Sequence, residues 1–233
     1  MTIYDDSEMW RGPFPPEEIP FILSAVLRCM NGEKKKHKLE KENDISFRLW
    51  KKLRRDSILR ERPIQPDPEA WEINENVPDG TLGRLDIRFI FSTATNHPWP
   101  EFAIEAKRLH VNFPSGWKSL VSDYVTSDTS KPVEEEQGMM CFVSGRYSKG
   151  LHAGAMLGYV FDGNTNGARE AISKTIQQHA SKLRIKQGTA LQISSIISDN
   201  TSISESLHDL VFLQKDASRQ GSTFTIYHLL VSV

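Results

Sequence analysis

Two short stretches decide the fold of this chain: Gly-Arg-Leu-Asp-Ile-Arg at residues 83–88 and Phe-Ala-Ile-Glu-Ala-Lys at residues 102–107. Each places ionisable residues inside an apolar run that is typical of a buried strand. A charged group is costly to bury unless it is paired. Asp86, Glu105 and Lys107 are therefore the first candidates for chemistry.

The two stretches predict one hairpin with a defined register. The intervening segment Thr93–Pro98 is rich in turn-forming residues. Folding the chain about its midpoint places Asp86 opposite Glu105 and Arg88 opposite Ala103. Because opposed residues share a face of a sheet, the charged residues then collect on one face. The other face collects the apolar residues Leu85, Ile87, Phe89, Phe91, Phe102, Ile104 and Ala106. A shift by one residue would mix the two sets.

Two carboxylates and an ammonium at one place on a sheet suit a hard divalent cation. Mg²⁺ binds through one or two carboxylates and keeps several waters, and it activates a bound water while offsetting charge on a phosphoryl oxygen. Lys107, two residues after Glu105, points to the same face and would orient the attacking water or stabilise the transition state. The spacing alone leaves a second interpretation open, in which these residues form a structural ion cluster on a solvated sheet face.

The pattern Asp86 … Glu105-Ala106-Lys107 resembles that of the PD-(D/E)xK nuclease superfamily, which has the restriction-endonuclease-like fold. The family pattern is an Asp on one core strand followed by (Asp/Glu)-x-Lys on the next. The chain differs in having Leu85 in place of the Pro before the Asp. The resemblance covers about residues 40–165. It implies that Asp86 and Glu105 bind Mg²⁺, for which Mn²⁺ is a possible substitute, together with the carbonyl oxygen of Ala106.

Many members of the superfamily also carry a Glu on the helix before the sheet, and Glu42 is the candidate here. The sequence predicts a helix over about 43–55, with Glu42, Ile45, Leu49 and Leu53 on one face. A Glu at the start of that apolar stripe would point toward the sheet and join the catalytic group. The alternative is a first-turn Glu that is favoured only by the helix dipole.

Composition fits one globular domain, and the patterns and the resemblance together predict an α/β fold. It has 233 residues, of which 38% are hydrophobic and 25% charged, enough to bury a core without disulfides. We expect a restriction-endonuclease-like core with a central mixed β-sheet flanked by helices, plus a C-terminal β extension. The expected division is an N-terminal arm and helix at 1–40, the nuclease core at 41–186 and C-terminal strands at 187–233 that pack on or extend the core.

Two cysteines, an acidic N-terminus and the lack of a long apolar run predict a cytoplasmic protein without a membrane partner. The net charge of −1 does not favour nucleic acid. Residues 34–62, however, contain twelve Lys or Arg against five Asp or Glu, a local charge of +7. Such a stretch would neutralise phosphates, or it would form a solvated helix with ordinary charge pairs. The Gly-rich loop at 144–152 is either a second DNA contact or an ordinary turn. The candidate nucleic-acid contacts are Lys51, Lys52, Arg84, Arg88, Arg146, Tyr147 and Lys149.

Other patterns predict the remaining elements. Two helices are expected at 19–30 and 166–186, and residues 117–125 are expected to be helical. Buried strands are expected at 139–143 and 155–161, and strand-like runs at 191–197, 207–213 and 224–233. Segment 61–80 is expected to be mostly loop, with a short strand at 71–73 that begins the sheet. The charged run 33–41 is expected to lie outside the core. His110 and His152 are weak ligand candidates, whereas His228, between apolar residues, predicts a buried structural histidine.

The resemblance implies a Mg²⁺-dependent endodeoxyribonuclease that hydrolyses DNA phosphodiester bonds. Its setting would be bacterial antiviral defence or restriction, with the chain acting as a homodimer or in a complex with an ATPase or another defence subunit. Two alternatives remain. One is a non-catalytic nucleic-acid-binding or assembly subunit that keeps the nuclease fold, and the other is an RNase with the same centre.

Overall fold

The protein is described by a computed structural model that covers residues 14–68, 71–73, 81–84, 87–91, 101–128, 135–145, 152–186, 190–197, 202–209 and 223–233. It is an α/β protein in which helices flank both faces of a mixed seven-stranded sheet. The predicted fold class, an α/β core around a mixed central sheet, is confirmed.

The described part of the chain contains six α-helices. After a 3₁₀ turn at Pro16–Glu18, they are α1 (Ile19–Met30), α2 (Glu42–Leu53), α3 (Ser57–Arg60), α4 (Val121–Val125), α5 (Met139–Val143) and α6 (Thr165–Gln178). None of the helices in these ranges has both the length and the hydropathy needed to cross a bilayer.

The strands form one large sheet and three small ladders. They are β1 (Ile64–Pro68), β2 (Trp71–Ile73), β3 (Thr81–Arg84), β4 (Ile87–Phe91), β5 (Glu101–Leu109), β6 (Val111–Phe113), β7 (Gly116–Lys118), β8 (Ser127–Asp128), β9 (Glu135–Glu136), β10 (Ala153–Val160), β11 (Gln192–Ile193), β12 (Ile203–Asp209) and β13 (Thr223–Ser232). The small ladders are β2–β3, β6–β7 and β8–β9.

The large sheet has the order β1-β4-β5-β10-β13-β12-β11. Its three central strands, β5, β10 and β13, are parallel, and the outer strands are antiparallel to their neighbours. The C-terminal strands therefore extend the main sheet, with β13 paired to β10 along its length. Parallel strands are usually covered on both faces, and both faces of this sheet are covered.

Alternating side chains of the central strands enter two hydrophobic clusters. Ile104 on β5 and Leu157 on β10 pack with the layer of α1, α2 and α3. Their neighbours Ala103 and Met156 pack with the layer of α4, α5 and α6. The period of two along each strand thus separates the two cores.

The predicted hairpin register is confirmed wherever it is described. Strands β4 and β5 pair antiparallel, with Arg88 opposite Ala103 and Ile87 opposite Ile104. Asp86 and the predicted loop Thr93–Pro98 lie outside the described residues. Arg84 belongs to β3, whose partner is β2, so the 83–88 stretch does not form one strand against β5.

The prediction of a buried strand at 139–143 is wrong, because Met139–Val143 forms helix α5. All five of its residues are buried, so the pattern correctly marked core. A five-residue apolar run has no periodicity that separates a strand from a buried helical turn.

The segment from residue 61 to 80 is more regular than its prolines predicted. Ile64–Pro68 forms β1, the edge strand of the large sheet, paired with β4. Proline lacks an amide donor and is tolerated on edge strands. The short strand expected at 71–73 is present as β2, but the expectation that it begins the sheet is wrong, because β2 pairs with β3 in a separate two-stranded ladder.

Two helix predictions need new boundaries. Residues 116–118 form strand β7, so helix α4 begins only at Val121. Helix α6 ends at Gln178, because the chain then turns to join the sheet, where Ile185 bridges to His208.

Candidate active site

Glu105, Lys107 and Glu42 meet at one point, and we call this group the acid–amine cluster. The Lys107 Nζ atom lies 2.5 Å from Oε1 of Glu105 and 3.5 Å from Oε1 of Glu42. The Glu105 side chain is buried, whereas the Lys107 and Glu42 side chains are 14% and 22% exposed. The structure therefore brings together three of the four predicted catalytic residues in a partly solvent-accessible position. The fourth, Asp86, is outside the described part of the chain.

The second carboxylate oxygen of Glu42 ties helix α2 to strand β5. The backbone N–H of Arg108 donates to Oε2 of Glu42 at 2.9 Å. The described ladder between β4 and β5 ends at Ile104, so farther along β5 this side chain takes a place that a neighbouring strand would otherwise fill. Both interpretations of Glu42 hold geometrically, because it is a first-turn residue of α2 and also points to the sheet.

A second set of contacts fixes the chain just before Glu42. Arg48 binds Glu40 and Glu33 with its guanidinium group, and Arg108 donates from Nη1 to the carbonyl oxygen of Glu40 at 3.2 Å. Burial alone would raise the pKa of the Glu40 carboxyl, but the hydrogen bonds from Arg48 and from the Lys36 N–H lower it below its usual value. The expectation that the run 33–41 lies outside the core is therefore wrong for Glu40, which is 1% exposed.

The neighbouring strand carries a glycine beside the cluster. On β10, Gly158 pairs with Lys107. A Cβ atom at this glycine would lie 2.6 Å from Cδ2 of Leu230 and 2.7 Å from Cδ1 of Leu109. The absence of a side chain thus lets these two leucines close the core immediately beside Lys107.

The predicted nucleic-acid contacts fall into different environments. Arg88 binds Asp67 at 2.7 Å and Glu101 at 3.3 Å. Burial lowers the pKa of this guanidinium, but these two partners raise it above its usual value overall. Arg88 therefore joins β1, β4 and β5 through ion pairs within the sheet.

The two predicted lysines of helix α2 also differ. Lys52 donates to the carbonyl oxygen of Cys29 at 3.0 Å and binds Glu33. Lys51 is exposed, with its Nζ 4.3 Å from the centroid of the Phe47 ring. The loop candidates Arg146, Tyr147 and Lys149 lie outside the described residues, and the side chain of Arg84 is likewise not described.

Sequence reasoning missed Arg108 and Arg48 as residues that position the cluster. Their position beside known candidates was the available signal, since Arg108 directly follows Lys107 and Arg48 lies one helical turn and a half after Glu42. Their partners, however, are set by tertiary contacts: Arg108 binds Glu42 and Glu40, and Arg48 binds Glu40 and Glu33.

A second polar cluster, the buried histidine chain, lies on the same sheet face. His208 Nδ1 is 2.7 Å from the Leu183 carbonyl oxygen, and the Ser206 Oγ atom lies 2.8 Å from Nε2 of His208 and 2.9 Å from Nε2 of His228. Nδ1 of His228 is 3.0 Å from the Tyr124 hydroxyl. Because the carbonyl only accepts, each proton has one assignment: Tyr124 donates to His228, His228 to Ser206, Ser206 to His208, and His208 to Leu183. The prediction of a buried structural His228 is confirmed.

Burial keeps both histidines of this chain neutral. It lowers the pKa of His208 to about 4, against the opposing hydrogen bond to Leu183, and it lowers the pKa of His228 to about 3. Burial also raises the pKa of Tyr124 well above its usual value. Every side chain of the buried histidine chain is thus uncharged at neutral pH.

The donor chemistry of the acid–amine cluster fits a hard divalent cation. Glu42 and Glu105 supply carboxylate oxygens around one ammonium group, and Mg²⁺ needs only one or two carboxylates beside its waters. Within the described ranges, no group of three or more His, Cys, Asp or Glu residues is placed to hold a metal, so a fuller ligand set would have to include Asp86 or another residue beyond them.

In comparisons with protein-family models, with curated proteins and with solved structures, no match to this chain was found.

Proposed function

We propose that the protein is a Mg²⁺-dependent nuclease that hydrolyses DNA phosphodiester bonds at the acid–amine cluster. The observation that carries the proposal is the position of Lys107, which lies within hydrogen-bond reach both of Glu105 on strand β5 and of Glu42 on helix α2. The register of β4 against β5, with Ile87 opposite Ile104 and Arg88 opposite Ala103, supports it further, because it is the register on which the proposed site was predicted.

The carboxylates would hold the metal. Glu105 and Asp86 would be its ligands, with the carbonyl of Ala106, and Glu42 would assist directly or through water. Bound there, Mg²⁺ would supply an activated water and offset negative charge on the phosphoryl oxygen. Lys107 and Glu42 are 14% and 22% exposed, and a phosphate would approach the cluster from this solvent-facing side.

Lys107 would act on the reacting groups themselves. Its ammonium is fixed by two carboxylates, so it needs little reorganisation to orient the attacking water or to stabilise charge that develops on the phosphate. The backbone N–H of Arg108 holds Glu42 beside it, and the guanidinium groups of Arg48 and Arg108 fix Glu40, two residues earlier in the chain. The setting remains the one implied by the family resemblance, a cytoplasmic effector of defence or restriction that works with a partner subunit or as a homodimer.

The test is cleavage of supercoiled plasmid DNA by the wild-type protein and by Glu105→Gln in the presence of Mg²⁺ or Mn²⁺. The substitution keeps the shape of the side chain but removes a negative charge. We expect a loss of cleavage rate of about 100-fold or more. RNA of matched sequence, assayed in parallel, identifies an RNase if it alone is cut.

The matched control is Glu101→Gln, which changes a buried Glu on the same strand and the same face. Glu101 binds Arg88, away from Lys107, so its loss should leave the cleavage rate nearly unchanged. Equal cleavage by wild-type protein and Glu105→Gln would reject the proposal, as would a wild-type protein that cuts neither nucleic acid in either metal. The latter result would favour the non-catalytic binding subunit.

A further inference from the structure

The β6–β7 hairpin begins at Val111, four residues after Lys107. His110, with φ of 55°, turns the chain between β5 and β6, and its N–H donates to the carbonyl oxygen of Ser119 at 3.0 Å, which closes the base of the hairpin. Three residues of strand span about 10 Å. The hairpin therefore stands next to the acid–amine cluster, at the end of the strand that carries it.

Trp117 on β7 is the most exposed aromatic side chain of the described residues, at 57%. Its ring lies 5.2 Å from the imidazole of His110, at an interplanar angle of 50°. His110 is itself buried, and its Nδ1 is 3.1 Å from Oδ2 of Asp162. The indole of Trp117 thus contacts the imidazole of His110, which Asp162 holds in place, while most of the remaining indole surface is exposed to solvent.

Two cations accompany the hairpin. The Arg108 guanidinium and the Lys118 ammonium lie 5.8 Å and 5.5 Å from the centroid of the Phe113 ring. An exposed aromatic ring with cations close by is the combination that binds single-stranded nucleic acid, because bases stack on the ring and the cations meet phosphates.

A second aromatic surface, on helix α2, lacks the open ring. Phe47 and Trp50 stack on each other at 5.3 Å, and Lys51 and Arg54 lie over their rings at 4.3 Å and 5.2 Å. The ring faces of that pair are occupied by neighbours in the same helix. The hairpin, in contrast, offers an indole that contacts a single ring, that of His110, within the described part of the chain.

We propose, on the basis of the nuclease function above, that Trp117 stacks on an unpaired base of the DNA strand that is cut. Lys118 and Arg108 then contact phosphates of the same strand. The separation of about 10 Å between Lys107 and His110 corresponds to about three stacked nucleotides. The site therefore takes DNA whose bases are exposed near the cut, as in a single strand or a frayed end, without reading its sequence.

The experiment measures binding of a labelled single-stranded oligonucleotide, and of its duplex, by fluorescence anisotropy in EDTA, so that no cleavage occurs. We expect Trp117→Ala to weaken single-strand binding about fivefold or more, with a change of about twofold or less for the duplex. Trp117→Phe should recover most of the affinity. Phe47→Ala, the control at the covered aromatic pair, should bind the single strand as the wild type does.

An oligonucleotide whose bases are replaced by abasic sites sharpens the assay. It keeps the phosphates but has nothing to stack, so wild-type protein and Trp117→Ala should bind it equally. Single-strand binding that is the same for wild type and Trp117→Ala overturns the inference, and so does an equal loss on the abasic strand. The nuclease function is judged separately: if Glu105→Gln lacks cleavage while Trp117→Ala binds normally, the nuclease stands and the stacking site falls. If the Trp117 effect appears in a protein that never cuts DNA, the stacking site stands alone.

Discussion

The acid–amine cluster and the buried histidine chain lie on the same face of the same sheet, separated by one strand. Glu105 pairs with Met156 on β10, and Met156 pairs with His228 on β13. Both are polar groups in a largely hydrophobic layer. They nevertheless offset the free-energy cost of burying polar groups in opposite ways.

The histidine chain is neutral and closed, whereas the acid–amine cluster is ionised and open. In the chain, each donor has an acceptor and every member is buried. In the cluster, an ammonium and two carboxylates hold one another, and two of the three side chains reach solvent. The comparison indicates that a neutral chain whose hydrogen bonds are all satisfied stabilises the fold, whereas charged groups near solvent are accessible to a reactant.

Acid should weaken the protein through the histidine chain by the largest amount. The folded-state pKa values of about 4 and 3 lie below the ordinary 6.5, so the unfolded state binds more protons as the pH falls below about 6.5. Stability is fully present above that pH and declines through pH 5 with a slope of about 2.7 kcal/mol per pH unit for two histidines. The expected loss between about pH 7.5 and pH 5 is about 4 kcal/mol, measured by urea unfolding.

The variant His208→Gln, His228→Gln provides the control for this slope. If the two histidines are the cause, the double variant is less stable at neutral pH but loses little more between pH 7.5 and pH 5. A wild-type protein with flat stability across this range would show that the chain is not held neutral.

Lys107→Ala should separate catalysis from metal binding. Loss of the ammonium removes a transition-state contact, and we expect the single-turnover cleavage rate to fall about 100-fold, or about 2.7 kcal/mol. The same change removes a positive charge next to Glu105 and Glu42, so affinity for Mg²⁺ should hold or increase. Quenched-flow cleavage and calorimetry measure the two effects. A variant that loses both equally would indicate a structural role for Lys107.

Ser206→Ala should damage the fold and spare the chemistry. It leaves Nε2–H of His228 without an acceptor and Nε2 of His208 without a donor, at a cost of about 2 kcal/mol. Ser204→Ala is the control, because Ser204 is also a buried serine of β12 and is not a member of the histidine chain. Urea unfolding and plasmid cleavage, measured together, should show Ser206→Ala less stable than Ser204→Ala, with equal cleavage by the folded fractions.

Gly158→Ala should give the smallest effect and link the two regions. The added Cβ would meet the ends of the Leu230 and Leu109 side chains, which can shift, so we expect about 1 kcal/mol of destabilisation. Because Gly158 lies beside Lys107, cleavage should also fall modestly. Gly154 lies on the same strand as Gly158, and a Cβ there would meet the Phe142 ring of helix α5. Gly154→Ala should therefore lower the melting temperature without that loss of activity in the folded protein.

The parts of the structure that depend on local alternation were predictable from the sequence. The register of Arg88 opposite Ala103 followed from the period of two in residues 83–91 and 101–109, since only one register separates charged from apolar residues. Helix α2 followed in the same way from the spacing of Ile45, Leu49 and Leu53, which are all buried.

Features that depend on distant partners were not predictable. Met139–Val143 could not be assigned to a helix because its five apolar residues have no period. Glu40 was expected in solvent because its neighbours are charged, and only the approach of Arg48 and Arg108 explains its burial. The contact between the Trp117 and His110 rings likewise depends on a turn in which His110 has a positive φ, and no sequence pattern indicates this turn.

Calorimetric titration of Mg²⁺ into the wild-type protein and Glu105→Gln tests the central claim most directly. If the acid–amine cluster holds the metal, the wild-type protein gives a saturable binding heat, and Glu105→Gln binds at least about tenfold more weakly, whereas Glu101→Gln binds normally. Absence of a saturable heat, or equal binding by wild-type protein and Glu105→Gln, would contradict the claim and leave Glu42, Glu105 and Lys107 as a structural ion cluster.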